Sequence, residues 1–341
     1  MIVMKFGGTS VGSAERIAAT ADIVASCNEP VVVVLSAMSG VTNMLIEAAR
    51  GERPLSEVAQ RHYEAARQLG LGTEYHAVVD NTLGRAAGEA ETVACGELLS
   101  TALARAYMQT RGMDAVMLPA LDFMRLNADG SPDTAHIARA AAAAVERAGR
   151  HRIYVTQGFI CRDAGGSVAT LTRGGSDYTA TLLGEALRAS HVCIWTDVDG
   201  VYSADPRHVP AARCIPRMSY AQADMAARLG AKILHSDCIV PAQRCGAEVR
   251  VLDSFHPEAA GTVVGPFADA PGFIAVAASA DHVGIVGHDA AVTAADIARA
   301  LGPLAAAEPE IHAGHTRVSV QPGQAVEAMR IIHHEFIENK I

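Results

Sequence analysis

Short apolar runs alternate along the chain with longer segments of helical periodicity. The runs IVMKF, VVVVLSA, RIYVTQGFI and HVCIWTDV are bounded by Gly, Pro or polar residues, as buried parallel strands are. Between them, Ala-rich segments such as ETVACGELLSTALARAYMQT and DTAHIARAAAAAVERAG have helical spacing and good helix formers. This alternation predicts an α/β fold with a mostly parallel sheet sandwiched by helices.

A segment rich in Gly, Pro and Ala, PEAAGTVVGPFADAPG, spans 257–272 and predicts a domain boundary. We therefore expect one domain over residues 1–265 and a second over 266–341. In the second, FIAVAASADHVGIVG predicts a strand, TAADIARALGPLAAAE a helix, EIHAGHTRVSVQP two short strands and AVEAMRIIHHEFIEN a final helix. The order β-α-β-β-α predicts a small α+β domain.

Composition narrows the class of protein. The 341 residues suffice for about two domains. Charges or Gly interrupt every apolar stretch of about 18 residues and no leader pattern precedes the first strand, so we expect no membrane span, no signal peptide and a cytoplasmic location. A net charge of −9 argues against a nucleic-acid partner. Scattered Cys and His residues lack ligand spacing, so we expect no metal held by them.

The segment TLTRGGSDYTA at 170–180 contains a Gly pair ahead of a predicted helix. Gly174 and Gly175 allow backbone N–H groups to approach an anion, and the positive end of the helix dipole favours the same ligand. The alternative is a plain helix cap of the Gly-Gly-Ser-Asp type.

Polar side chains surround this Gly pair. Arg173 can bind a carboxylate through two hydrogen bonds, Ser176 and Thr179 can donate to oxygens, and Asp177 can orient a cation. Together they predict a site for a negatively charged substrate.

The first strand ends in a second Gly-rich turn. Lys5 precedes Gly7 and Gly8, and Thr9 leads into the helical pattern AERIAATADIVA. In a Walker A loop the Lys follows the glycines, so P-loop chemistry is disfavoured. A lysine before the turn is a compact point charge suited to a phosphoryl group in transit; the alternative is a solvated lysine at a strand edge.

The sequence resembles the aspartokinases of the amino acid kinase family in a series of motifs that occur in the same order. These are KFGGTS at 5–10, LSAMSGVTN at 35–43, GELLST at 96–101, TQGFI at 156–160, TRGGSDYTA at 172–180, WTDVDGVYSADPR at 195–207 and LGAKILH at 229–235. The resemblance covers residues 1 to about 265 and implies an amino acid kinase-like catalytic domain. Residues 266–341 resemble one ACT domain, a module that pairs subunits in the family, which implies a homodimer or higher homo-oligomer.

The resemblance also implies an activity: ATP-dependent phosphorylation of the side-chain carboxylate of L-aspartate, which gives 4-phospho-L-aspartate and ADP. This step begins the synthesis of lysine, threonine and methionine. The resemblance implies that ATP and Mg²⁺ take part in it. The implied catalytic residues are Lys5, Gly8 and Asp177. The implied substrate-binding residues are Thr42, Glu97, Phe159, Arg173 and Ser176. The implied nucleotide-binding residues are Lys5, Gly7, Gly8, Ser36, Thr196, Asp197, Tyr202, Arg207 and Lys232.

The residue types fit this chemistry. A carboxylate acceptor is already ionised at neutral pH, so the reaction needs no general base, only alignment of two anions and neutralisation of their charge. Lys5, oriented by Asp177, and the backbone N–H groups of the two Gly pairs can supply that charge. Glu97 lies in an apolar helix, where a bare carboxylate is costly unless a substrate ammonium, or alternatively a structural cation, pairs with it.

The nucleotide side has a weaker signal. Thr196 and Asp197 leave a strand end, where ligands bind in open α/β sheets. Tyr202, Arg207 and Lys232 offer an aromatic face, a guanidinium and an ammonium, but DVDG and ADPR are also ordinary turn sequences.

Two other functions stay open at this point. One is an amino acid kinase acting on an aspartate analogue in a specialised pathway. The other is a non-catalytic, ligand-sensing regulatory subunit, against which the presence of both Lys5 and Asp177 argues.

Overall fold

The computed structural model describes residues 1–171, 174–231 and 234–338. The chain forms two compact units. The first contains Met1–Asp197 and Leu252–Glu258, and the second contains Val198–Val251 and Ala259–Ile341. Residues 198–251 thus group with the C-terminal part of the chain, whereas the sequence analysis assigns them to the first domain. The division into a catalytic domain over 1–265 and an ACT-like domain over 266–341 stays a prediction.

The first unit is built from strands and helices that alternate along the chain. Its strands are β1 (Ile2–Phe6), β2 (Val31–Leu35), β3 (Ala115–Met117), β4 (Ile153–Gln157), β5 (Ile160–Arg162), β6 (Val168–Thr170) and β7 (His191–Thr196). Its helices are α1 (Ala14–Ser26), α2 (Val41–Ala49), α3 (Leu55–Gln68), α4 (Thr73–Arg85), α5 (Glu89–Thr110), α6 (Thr134–Ala148) and α7 (Gly175–Ala186).

A parallel sheet forms the centre of this unit, with strand order β3-β4-β2-β1-β7. In its register Lys5 on β1 lies beside Val34 on β2 and Ile194 on β7. Strands β5 and β6 form a separate antiparallel hairpin. The predicted α/β fold with a mostly parallel sheet is confirmed.

Side chains along β1 alternate between the two faces of this sheet, and helices cover both faces. Met4 and Phe6 join a buried cluster with Ile17 of α1 and Leu99 of α5. Lys5, between them, points to the opposite face and contacts α7 through Asp177. Strand β1 is therefore buried on both sides, as is typical of a strand in a parallel sheet.

A short returning segment, Leu252–Glu258, completes the first unit. Arg16 of α1 donates from Nη2 to the Ser254 carbonyl at 2.6 Å, and its guanidinium lies 3.6 Å from the centre of the Phe255 ring. The hydroxyls of Ser10 and Ser254 are 2.7 Å apart in the buried interior. A hydrogen bond and a cation–π contact thus hold this segment on α1, and a second hydrogen bond holds it on Ser10, before that helix.

The second unit contains two groups of strands. Its strands are β8 (Arg217–Ser219), β9 (Glu248–Asp253, whose last two residues fall in the first unit), β10 (Thr262–Gly265), β11 (Gly272–Ala278), β12 (His282–His288), β13 (Glu310–His312) and β14 (His315–Ser319). Its helices are α8 (Tyr220–Arg228), α9 (Ser236–Cys245), α10 (Ala294–Leu301) and α11 (Ala325–Phe336). In the described part of the chain, no helix combines the length and apolar character needed to cross a membrane.

An antiparallel sheet with the order β11-β12-β14-β13 packs with α10 and α11 around one buried cluster. The prediction of a single strand for FIAVAASADHVGIVG is wrong, because this run forms both β11 and β12. The turn between them closes through a hydrogen bond of 2.9 Å from the Ser279 N–H to the His282 carbonyl. Its residues, Ser-Ala-Asp, include neither Gly nor Pro, so the sequence carried no strong turn signal.

Two helical glycines provide a test of how closely α7 packs on the sheet. A Cβ at Gly184 of α7 would lie 2.5 Å from Cγ2 of Val192 on β7, whereas a Cβ at the exposed Gly84 of α4 would meet no atom within 4 Å. We expect Gly184→Ala to destabilise the protein by about 1–3 kcal/mol through overpacking. Gly84→Ala should instead stabilise it by up to about 1 kcal/mol through helix propensity. Urea unfolding of both variants measures the difference, and equal shifts would contradict the close contact.

Candidate active site

A cavity of about 660 Å³ opens at the carboxyl ends of β1, β2, β4 and β7 in the first unit. Ligands bind at this end of parallel strands because the loops and helix N-termini converge there. Most of the residues implicated by the sequence line it together. They are Lys5, Gly7, Gly8, Ser36, Thr42, Glu97, Phe159, Ser176, Asp177, Thr196 and Asp197.

A nearly buried ion pair lies on the cavity wall. Nζ of Lys5 is 2.6 Å from Oδ1 of Asp177, and the two side chains are only 10% and 15% exposed. The ammonium also lies 3.3 Å from the position that a Cβ of Gly7 would take, so the lysine side chain folds back over the Gly turn. Asp177 therefore fixes a positive charge at the end of the central strand.

Two helices begin at the cavity with a glycine in the left-handed region. Gly40 (φ 79°) precedes α2 and Gly174 (φ 74°) precedes α7, and within the described ranges neither helix has a hydrogen bond from a capping side chain. Both glycines line the cavity. The Val41 N–H of α2 donates to the Met38 carbonyl at 2.9 Å. The other first-turn N–H groups and the positive ends of two helix dipoles make this wall suitable for an anion.

The two Gly pairs differ in what they offer a ligand. The N–H of Gly7 donates to the Trp195 carbonyl at 3.2 Å, so this group, expected to stabilise an anion, is used within the sheet instead. Gly8 allows close approach, because a Cβ there would lie 3.0 Å from the Ala37 carbonyl oxygen. The Gly8 carbonyl accepts a hydrogen bond from the Ser39 N–H at 3.0 Å, which fastens the first turn to the loop after β2.

Glu97 carries a buried carboxyl in the middle of α5. It is 3% exposed, and its Oε1 accepts a hydrogen bond of 3.1 Å from the Ala37 N–H. Its Oε2 is buried without a hydrogen-bond partner among the described residues. Burial raises the pKa of Glu97 to about 7, although the Ala37 N–H acts in the opposite direction. Such a carboxyl is suited to a ligand that brings a positive charge.

The turn after β4 places an aromatic residue in a strained conformation at the cavity. Phe159 has φ 66°, and the Ile160 N–H donates to the Gly158 carbonyl at 2.7 Å across it. The Leu171 N–H donates to the Phe159 carbonyl at 2.8 Å. A non-glycine residue at positive φ is uncommon, and such strain is often found at functional sites.

Thr179 has a different role from the one expected. It is fully buried and is not part of the cavity lining. Its hydroxyl donates to the Gly175 carbonyl at 2.8 Å and accepts from the Phe159 N–H at 3.1 Å. The expectation that this hydroxyl donates to a substrate is therefore wrong.

The structure does not place all the predicted nucleotide residues on the cavity wall. Tyr202 and Arg207 belong to the second unit and do not line the cavity. The Tyr202 hydroxyl donates to Asp199 at 2.6 Å, and the guanidinium of Arg207 bonds Asp205 at 2.6 Å, as the turn interpretation allows. Their nucleotide roles stay predictions. Arg173 and Lys232 lie outside the described residues.

Further cavity residues were missed by the sequence analysis. They are Thr9, Ala37, Met38, Ser39, Gly40 and Leu171. For Ser39 and Gly40 a signal existed, because a Ser-Gly pair between a strand and a helix is typical of a loop. Leu171 gave no signal, since the β5–β6 hairpin brings it to the cavity.

Comparison with known proteins supplies independent findings. Residues 1–253 match the amino acid kinase family. Over 77% of its length the chain is 38% identical to the lysine-sensitive aspartokinase 3 of Escherichia coli K12 and 32% identical to the aspartokinase of Chlamydia pneumoniae. It covers 64% and 62% of those proteins, so it spans less than two thirds of the length of these curated relatives.

Solved structures of E. coli aspartokinase III have the same fold. The structure in complex with aspartate and ADP (R-state) is 32% identical, with a TM-score of 0.75 over 96% of this chain and 80% of that chain. The structure in complex with lysine and aspartate (T-state) is 27% identical, with a TM-score of 0.81 over 99% of both chains.

The titration of Glu97 can be measured through stability. Its pKa in the folded protein, about 7, lies above the ordinary value of 4.5, so the folded state favours the protonated form. The contribution of this protonation to the free energy of unfolding is fully present below pH 4.5 and is lost as the pH rises to 7. Over this range we expect the wild type to lose roughly 3 kcal/mol more stability than Glu97→Gln, whose side chain does not titrate. Urea unfolding of both proteins without ligand from pH 4.5 to 8 tests this.

A variant of the exposed Glu89 on the same helix, Glu89→Gln, serves as the matched control and should follow the wild type. If the free energy of unfolding of the wild type and of Glu97→Gln changed with pH in the same way, the raised pKa of Glu97 would be contradicted.

Proposed function

The chain belongs to the amino acid kinase family, and from this premise we propose that it is an aspartokinase, which transfers the γ-phosphoryl group of ATP to the side-chain carboxylate of L-aspartate. The products are 4-phospho-L-aspartate and ADP, at the entry to lysine, threonine and methionine synthesis. One observation carries the proposal: the buried carboxyl of Glu97, whose Oε2 has no partner among the described residues, and the ammonium of Lys5, held by Asp177, line the same cavity.

The amino acid end of the cavity is built around Glu97. Its Oε2 is the group that can pair with the α-ammonium of aspartate, because a carboxylate buried without a partner is strongly disfavoured. Thr42, Ser176 and Phe159 line the same cavity, and the two hydroxyls can donate to carboxylate oxygens. Arg173, outside the described residues, is proposed from the motif to bind the α-carboxylate.

Phosphoryl transfer needs charge neutralisation more than proton transfer. An oxygen of the aspartate side chain forms a bond to the γ-phosphorus, and the bond from that phosphorus to the β–γ bridging oxygen breaks, so that ADP leaves with its electrons. No proton has to be removed, because the attacking carboxylate is ionised. Lys5, held by Asp177, stabilises the negative charge on the transferring group, and the first-turn N–H groups of α2 and α7 add fixed dipoles.

The nucleotide end is proposed to include Ser36, Gly8, Thr196 and Asp197, all of which line the cavity. Mg²⁺ usually binds through phosphate oxygens, waters and one or two carboxylates. Asp197 fits this role, because it is exposed on the cavity wall whereas Asp177 is paired with Lys5. When bound with ATP, Mg²⁺ would neutralise phosphate charge.

We also propose that the chain assembles as a homodimer or higher homo-oligomer through residues 266–341. Strand β13 forms one edge of the antiparallel sheet and its residues are exposed. An exposed edge offers backbone N–H and C=O groups to another chain.

The activity is tested with L-aspartate and MgATP. We expect ADP release with formation of an acyl phosphate that hydroxylamine traps as a hydroxamate, because the cavity pairs an ammonium-binding carboxylate with a phosphoryl-binding ammonium. A panel of acidic amino acids provides the control. Turnover of another amino acid but not of aspartate would favour the analogue kinase, and no turnover of any would favour the regulatory subunit.

The role of Lys5 is tested by Lys5→Ala. We expect kcat to fall by about two to four orders of magnitude, because the removed charge acts on the transition state. The KM for aspartate should change much less, as measured by coupled ADP-release kinetics. A raised KM with an unchanged kcat would contradict this role.

Lys5→Ala also leaves the carboxylate of Asp177 without its cation. The double variant Lys5→Ala/Asp177→Asn removes both charges and separates the two causes. Recovery of activity in the double variant would show that the lone carboxylate, and not the missing ammonium, caused the loss.

A further inference from the structure

The strained turn at Phe159 is packed tightly against the beginning of α7. A Cβ on Gly158 would lie 2.6 Å from Cβ of Ser176, and a Cβ on Gly175 would lie 2.6 Å from Cδ2 of Phe159. Only glycine fits at these two positions without displacing the neighbouring residues. The turn and the first helical turn, which carries Ser176 and Asp177, therefore share one surface and cannot shift independently.

The backbone of Phe159 stays at positive φ only if its surroundings hold it there. Its carbonyl accepts from the Leu171 N–H at 2.8 Å. Its N–H donates to the hydroxyl of Thr179 at 3.1 Å. A backbone N–H that is removed from water needs such an acceptor. That hydroxyl donates in turn to the Gly175 carbonyl at 2.8 Å.

Thr179 thus joins the turn to the helix through a single atom. Its Oγ1 is the acceptor for the strained peptide and the donor to the first residue of α7. The side chain is fully buried, and removal of its hydroxyl leaves the Phe159 N–H without this acceptor.

We propose that Thr179 is a positioning residue for the amino acid end of the cavity. It contacts no substrate; it holds Phe159 in its strained turn and so fixes the placement of Phe159 and Ser176, which line the cavity. The proposal rests on the function proposed above, because it assigns Phe159 and Ser176 to the binding of aspartate.

The same helix provides a matched control. Thr181 is also fully buried on α7, but its hydroxyl donates to the Tyr178 carbonyl at 3.2 Å, within the helix. Replacement of either threonine by valine removes a buried hydroxyl and keeps the branched shape. Only the change at position 179 removes the contact to the turn.

The kinetic experiment compares Thr179→Val, Thr179→Ser and Thr181→Val. We expect Thr179→Val to lower kcat/KM for aspartate by about ten- to a hundredfold, mainly through a higher KM, because a small misplacement of binding groups has effects of this size. The KM for ATP should stay within about twofold, since the hydroxyl of Thr179 bonds neither Lys5 nor the turn after β1. Thr179→Ser, which keeps the hydroxyl, and Thr181→Val should both resemble the wild type.

Backbone amide exchange gives a readout that does not depend on activity. The Phe159 N–H should exchange slowly in the wild type and in Thr181→Val, and faster in Thr179→Val. A wild-type Phe159 N–H that exchanges like an exposed loop amide would overturn the proposal even if Thr179→Val fails to fold.

The remaining outcomes are also decisive. Equal kinetics for Thr179→Val and Thr181→Val, equal loss of aspartate and ATP affinity, or a Thr179→Ser variant as impaired as Thr179→Val would each overturn the proposal. A wild type that is inactive with aspartate would instead refute the proposed function, and amide exchange would still decide whether Thr179 holds the turn.

Discussion

The site depends on one ion pair that is almost removed from water. Lys5 projects from the central strand of a sheet that is covered on both faces, and a charge in that position is strongly disfavoured unless an opposite charge meets it with good geometry. Asp177 supplies the opposite charge, 2.6 Å from the Lys5 ammonium, and the pair holds the beginning of α7 against β1. Glu97 has no such partner in the described part of the chain, and burial keeps its pKa high. The cavity thus contains one charge that is already paired, on Lys5, and one carboxyl, on Glu97, that has an oxygen without a partner in the described part of the chain.

Much of the cavity could be predicted because its chemistry is local in the sequence. A lysine before a Gly pair and an aspartate at a helix start show their roles through their neighbours alone, and Lys5 and Asp177 were found that way. The partner of the Gly7 N–H could not be predicted, since Trp195 lies far along the chain and only sheet register brings its carbonyl there. The same holds for Thr179, which looks like any helical threonine until the turn at Phe159 is placed beside it.

The fold shows the same division between local and distant information. Strands with continuous apolar sequences and Ala-rich helices were identified, because burial on both faces leaves a clear pattern. The turn at 279–281 was missed, since Ser-Ala-Asp closes it without the residues that usually mark a chain reversal. The grouping of residues 198–251 with the C-terminal part of the chain follows from contacts in three dimensions. No change of composition near residue 198 indicates this boundary in the sequence.

The returning segment has a consequence for the order in which the protein is made. The segment Leu252–Glu258, bound by Arg16 and Ser10, completes the first unit. The contacts of α1 with this segment can therefore form only after residues far along the chain have been synthesised. Until the ribosome has released residue 258, the binding surface on α1 is bare, with the guanidinium of Arg16 lacking both its carbonyl and its aromatic ring. Vectorial synthesis therefore cannot complete the first unit before residues 198–251 of the second have been made, and folding of the two is linked in time by the path of the chain.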